Sequence, residues 1–175
     1  ISAVADALTG TDIPLVVDPV LSASSGTEFV SPEAVDAYMT ELLPLALVTT
    51  PNLPEALRLL RQNPHLDSEG PCPTEITKEL SNALGISVLL TGGHSVTGGM
   101  LTDTLYSRGA THEFTHPWID LPSSHGTGCT HSAAIAGLLG LGFELEQAIP
   151  MAQALMAHVL KTSYQWPLEE GPQEL

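Results

Sequence analysis

The chain has 175 residues, 43% of them hydrophobic, enough for one domain with a substantial core. Twenty acidic residues against five basic ones give a net charge of −15, which argues against nucleic acid and anionic membrane surfaces as partners. No apolar run reaches the ~20 residues of a membrane helix, and no basic region with an apolar core marks a signal peptide at the N-terminus.

Ile1 to Leu8 reads as the end of an amphipathic helix, and without a starting Met the chain is expected to begin mid-domain. Pro14 to Val20 is a short apolar run through Asp18-Pro19, the pattern of a buried parallel strand. After a Ser-rich loop, Ser31-Pro32-Glu33 opens a helix with Ser as N-cap and Pro at N1, running to about Leu43. Leu45 to Thr49 is the next strand. Asn52 and Glu55 stand at the spacing of a capping box on the following helix. Arg61 to Pro73 is a polar surface loop, and Thr74 to Leu84 a helix stopped by Gly85.

Ile86 to Thr91 is a strand closed by Gly92-Gly93. Met100–Tyr106 and Thr111–Thr115, joined at Arg108-Gly109, read as an antiparallel pair. Helices follow at about 128–140 and 145–163, and an acidic tail begins at Pro167. Strands alternating with helices predict a doubly wound, mostly parallel α/β sheet covered on both faces. Ligands of such sheets bind beyond the carboxyl ends of the strands, where Asp18, Asn52 with Glu55, Thr91-Gly92-Gly93 and Gly126–Cys129 all fall.

The stretch Ser124-His125-Gly126-Thr127-Gly128-Cys129-Thr130 carries the chemistry. A Gly-x-Gly turn running into an apolar helix offers first-turn N–H groups and the positive end of the helix dipole to an anion. Cys129 falls in that turn, where a thiolate is stabilised and its pKa lowered. An anion hole with a base beside it suits phosphoryl transfer from a nucleotide to an alcohol; the alternative is a Gly-rich cap with Cys129 as a small buried residue. Of the two cysteines, Cys72 lies in a Pro-rich loop. Free thiols in a reducing cytoplasm are expected, with a disulfide left open.

The ordered set Val-Val-Asp-Pro-Val, Thr-Pro-Asn-Leu-Pro-Glu-Ala, Gly-Gly-His, Asp-x-Leu-Tyr and His-Gly-Thr-Gly-Cys-Thr resembles the ribokinase-like superfamily. Within it, the likeness is to the hydroxymethylpyrimidine/phosphomethylpyrimidine kinases of thiamin biosynthesis. It covers about Val4 to Tyr164 and corresponds to the carboxyl-terminal part of one such kinase domain, residues 1–175, without its amino-terminal units. The resemblance implies ATP and Mg²⁺ as cofactors and an aminopyrimidine alcohol or its phosphate as substrate. It places Cys129 as catalytic base, with Gly126, Thr127 and Gly128 as the anion hole. Asp18 and Glu55 become the metal-side carboxylates, and Asn52, Thr91 and Gly93 nucleotide contacts. Val20 becomes a substrate contact, unless it is simply a core valine. The family usually has Lys where this chain has Thr91. A pyridoxal-type vitamin kinase, a non-catalytic nucleotide-binding fragment and a homodimer stay open. His94 and His125 orient phosphates or bond locally, whereas His131 and His158 are read as structural and Trp118 and Trp166 as packing.

Overall fold

The computed structural model describes residues 1–22, 29–61, 72–92, 96–119 and 126–162. The expected tail from Pro167 and most of the loop from Arg61 lie outside these. Helix α1 (Ser2–Leu8) is followed by β1, which pairs only at Val16–Val17. The apolar run is longer, but Pro14 and Pro19 on either side have no N–H to give a ladder. Ser31 caps α2 (Pro32–Ala37), its Oγ accepting from the Ala34 N–H at 3.3 Å. The sequence predicts one α-helix from here to about Leu43. Instead the chain widens into a π-helical turn over Tyr38–Leu42 and tightens into a 3-10 turn over Leu43–Leu45. Pro44 lies in that last turn and cannot donate back to an α-helix.

Strand β2 (Val48–Thr49) leads to α3 (Leu53–Leu59), where the predicted capping box is complete. The Glu55 N–H donates to Asn52 Oδ1 and the Asn52 N–H donates to Glu55 Oε2, each at 2.9 Å. Helix α4 (Pro73–Leu84) ends at Gly85, whose φ of +72° is left-handed. Strand β3 (Ser87–Leu90) precedes a hairpin of β4 (Met100–Ser107) and β5 (Ala110–Pro117). Helices α5 (Thr127–Gly140) and α6 (Leu145–Thr162) complete the described chain.

The sheet order is β1-β2-β3-β4-β5. β1, β2 and β3 are mutually parallel, while β4 and β5 form the predicted antiparallel pair at the edge. The sheet is therefore mixed, and its side chains alternate between two cores. Val17, Val88 and Leu90 pack with Ala5, Val35, Ala56, Leu57, Ile76 and Leu80, from α1 to α4. Val48, Leu89 and Leu105 pack with Ile135 of α5 and Leu145, Ala148, Ile149 and Ala152 of α6. Leu80 and Leu89 are fully buried, each contributing roughly 1.5–3 kcal/mol of burial. This three-layer packing fixes α5 against the sheet and aims its N-terminus over the strand ends.

Candidate active site

A cleft of about 500 Å³ opens at that edge. Asp18, Val20, Asn52, Glu55 and Thr91 line one part of it, with Gly126, Thr127, Gly128 and Cys129. Of the predicted site residues, Gly93 lies outside the described ones, as do His94 and His125. Thr91 reaches the others by a backbone stitch: its N–H donates to the Pro51 carbonyl at 2.9 Å, and Asn52 and Thr91 form a parallel bridge. Val20 is partly exposed at the cleft and not a core residue.

Gly126 is the N-cap of α5 at φ +81°, a conformation that other residues rarely take. Thr130 is the first residue whose N–H bonds back to Gly126, so the N–H groups before it point out of the helix end. Asp18, just after β1, sits against this turn. A Cβ on Gly128 would lie 3.9 Å from Asp18 Oδ2. Burial pushes the Asp18 carboxyl above its ordinary value, opposed by hydrogen bonds to Cys129 and Ser132. The Ser132 and Thr50 hydroxyls are paired at 2.9 Å, tying α5 to the end of β2.

Glu55 is buried, and that burial pushes its carboxyl up to about 7; the charge of Asp18 adds to the rise, and the Asn52 and Leu21 backbones oppose it. Burial thus pushes both acids toward the protonated form, an arrangement that a bound cation relieves. The Cys129 thiol corrects the expectation of a lowered pKa. Desolvation raises it, as do the charge of Asp18 and the hydrogen bond to it. The helix end favours a thiolate, but desolvation, with the Asp18 carboxylate beside it, outweighs that. Cys129 and Cys72 are both free thiols.

Sequence reasoning missed the other end of the cleft. Asp103 on β4 is 3% exposed, and its carboxylate accepts from the Gly92 N–H at 2.7 Å and from Gln153 Nε2 at 2.7 Å. His116 Nε2 of β5 lies 3.5 Å from Asp103 Oδ2. Burial pushes the Asp103 carboxyl up, but the bonds from His116, Gly92 and Gln153 outweigh it and leave it below the ordinary value. His131, read as structural, is buried on the cleft wall, and its Nε2 has no hydrogen-bond partner. Trp118, read as packing, also lines the cleft, with Ile119, Met156 and Leu160. The signal was present in part: Leu101, Asp103 and Leu105 alternate on β4, which puts the acid inward, where it needs donors. Gly92 has no side chain for a steric reason, since a Cβ there would lie 2.1 Å from the Thr102 carbonyl oxygen.

A mixed sheet between two helical layers, with a Gly-led helix N-terminus facing paired acids across the strand ends, is the ribokinase-like architecture. The family described as phosphomethylpyrimidine kinase matches residues 1–174. The chain belongs to that family. It is similar to a hydroxymethylpyrimidine/phosphomethylpyrimidine kinase of Rhizobium meliloti, 35% identical over 98% of this chain and 63% of the relative. It is also similar to a pyridoxine kinase of Bacillus subtilis, 33% identical over 90% of this chain and 58% of the relative. Among solved structures, an ADP complex of Bacillus subtilis pyridoxal kinase superposes with a TM-score of 0.71 at 32% identity, covering 87% of this chain and 55% of that one. In each case the chain spans less than two thirds of the protein it matches. No helix among the described residues is long and apolar enough to cross a membrane.

Proposed function

We propose that this chain is the nucleotide-side part of a cytoplasmic, ATP- and Mg²⁺-dependent kinase. It phosphorylates the hydroxymethyl group of an aminopyrimidine, and then the resulting monophosphate, for thiamin biosynthesis. The observation that carries this reading is the placement of Asp18 and Cys129 together at the first turn of α5, where both line the cleft and a Cβ on Gly128 would lie 3.9 Å from Asp18 Oδ2. It puts a proton acceptor and an anion-binding turn at one point. The Gly126-Thr127-Gly128 turn donates its backbone N–H groups to phosphoryl oxygens, and such preorganised donors are worth about 3 kcal/mol each in acyl-transfer sites. For Cys129 to act as the base, its thiol proton passes first to the Asp18 carboxylate beside it; the thiolate so formed takes the proton of the substrate hydroxyl, and its raised pKa makes it the stronger base.

Asp18 and Glu55 suit Mg²⁺. Both are oxygen donors whose charges oppose each other, and magnesium commonly takes one or two carboxylates and completes its shell with water and phosphates. Held by these two carboxylates, the ion would neutralise phosphate charge in a chain of net charge −15. The apolar end at Trp118, Ile119, Met156 and Leu160 suits the nucleotide base. A pyridoxal-type acceptor is the second reading, supported by the likeness to the Bacillus subtilis pyridoxal kinase.

The test is Cys129→Ser. Serine is too weakly acidic to supply the base, while the backbone N–H groups remain. Turnover on hydroxymethylpyrimidine is expected to fall ~10²–10⁴-fold, with ADP affinity by calorimetry nearly unchanged. Turnover within about threefold of the parent, short of the general-base range, would place the base elsewhere. Preference for pyridoxal over the pyrimidine in the parent protein would select the second reading.

A further inference from the structure

Three carboxylates line the cleft, those of Asp18, Glu55 and Asp103, and none of the chain's five basic residues lies among the described lining residues. A polyphosphate entering here meets negative charge on two sides. The side chain that reverses this on one side is His116. It stands on β5 with its side chain 27% exposed, while the Asp103 carboxylate behind it is 5% exposed. The pair is thus oriented, with its acid in the wall and its imidazole toward the cleft. Asp103 is held in place by the Gly92 N–H and by Gln153, one from the end of β3 and the other from α6.

We propose that His116, backed by Asp103, is the nucleotide-binding cation of this cleft, acting on a polyphosphate such as ADP or ATP through its charge. The inference rests on the nucleotide reading above and adds a residue to it. Charge is available near neutral pH, since the Asp103 partnership raises the His116 pKa while burial opposes it. His131 of α5 also lies close enough to be felt, but it is held neutral: desolvation lowers its pKa, the charge of Asp103 raises it, and that of His116 lowers it. Gln153 of α6 is uncharged. Among the described residues the charge acting on His116 is therefore that of Asp103, and removal of the imidazolium leaves that acid without a cationic partner.

The experiment measures ADP affinity by calorimetry for wild type, His116→Gln and His116→Lys, from pH 6 to pH 9. Glu55 titrates in the same window in all three proteins, so the gap between them is the readout. At pH 6 His116→Gln is expected to bind about five- to tenfold more weakly than wild type, the size of one charge acting at ~7 Å with an effective dielectric of ~40, between the protein-surface value and water. That gap closes as His116 loses its proton. His116→Lys keeps near-wild-type affinity at pH 6 and exceeds wild type at pH 9. A gap that stays constant with pH would make His116 a steric contact and overturn the proposal, and so would no gap at any pH. A wild-type protein that binds no ADP at any pH would overturn the nucleotide reading itself, and this inference with it.

Discussion

The two ends of the cleft bury the same kind of group and treat it in opposite ways. At the α5 end, Asp18 and Glu55 are desolvated side by side, and both are pushed toward the protonated form. At the β4 end, Asp103 is desolvated as well, yet it ends below its ordinary value because Gly92, Gln153 and His116 donate to it. Burial therefore does not decide the charge of a carboxylate; the count of donors does. One end has its counter-charge built in. The other has no protein cation among its described lining residues and relies on what binds there.

The comparison breaks first at Asp103. Asp103→Ala strands the Gly92 N–H, the Gln153 amide and His116, and is expected to cost about 3–5 kcal/mol, the usual penalty for breaking a buried pair. Chemical denaturation at pH 7.5 measures it. A loss under about 1 kcal/mol, a surface-pair value, would mean that the network holds nothing in place.

Glu55→Gln should act with the opposite sign. A carboxyl raised in the folded state binds protons that the unfolded chain releases, so its contribution is full below about pH 4.5 and is lost as pH rises through about 7. At pH 8 without metal, the charged Glu55 costs on the order of 2 kcal/mol. The glutamine keeps the capping box and removes that cost. The variant's Tm should exceed the parent's by about 4–8 °C at pH 8 and match it near pH 4.5. A Tm difference independent of pH would show that Glu55 does not titrate in this range.

The smallest effect sharpens the contrast. His131 sits between the two ends with a buried, unpartnered Nε2. His131→Leu removes an orphaned polar atom and is expected to stabilise by about 1 kcal/mol, a Tm rise of about 2–4 °C. A destabilisation would mean that Nε2 is satisfied by an ordered water.

Much of the fold was legible because it is local. The Ser31 cap, the Asn52–Glu55 box, the Gly85 stop and the Arg108-Gly109 turn each declare themselves within a few residues. Arg108 and Gly109 take φ of +50° and +81°, as a tight hairpin turn needs. The convergence of Asp18 with Gly126–Cys129 was legible from one rule about strand ends. What failed was everything set by approach across the sheet. The pKa of Cys129 runs opposite to its helix position because burial desolvates the thiol and Asp18, more than a hundred residues earlier in the chain, lies against it. Asp103, His116 and Gln153 come from three elements, and nothing in their spacing announces that they meet. The break of the helix near Leu43 was visible in Pro44 and went unread.

Gly92 bears on how this protein can diverge. Its α-carbon lies so near the Thr102 carbonyl that no side chain fits, and its N–H is committed to Asp103. The strand β3 and the hairpin are thus pinned at that one residue. A side chain at Gly92 would force β3 and β4 apart, and with them the wall that carries Asp103 and His116. Divergence at this one position is therefore closed, whatever else changes around the cleft.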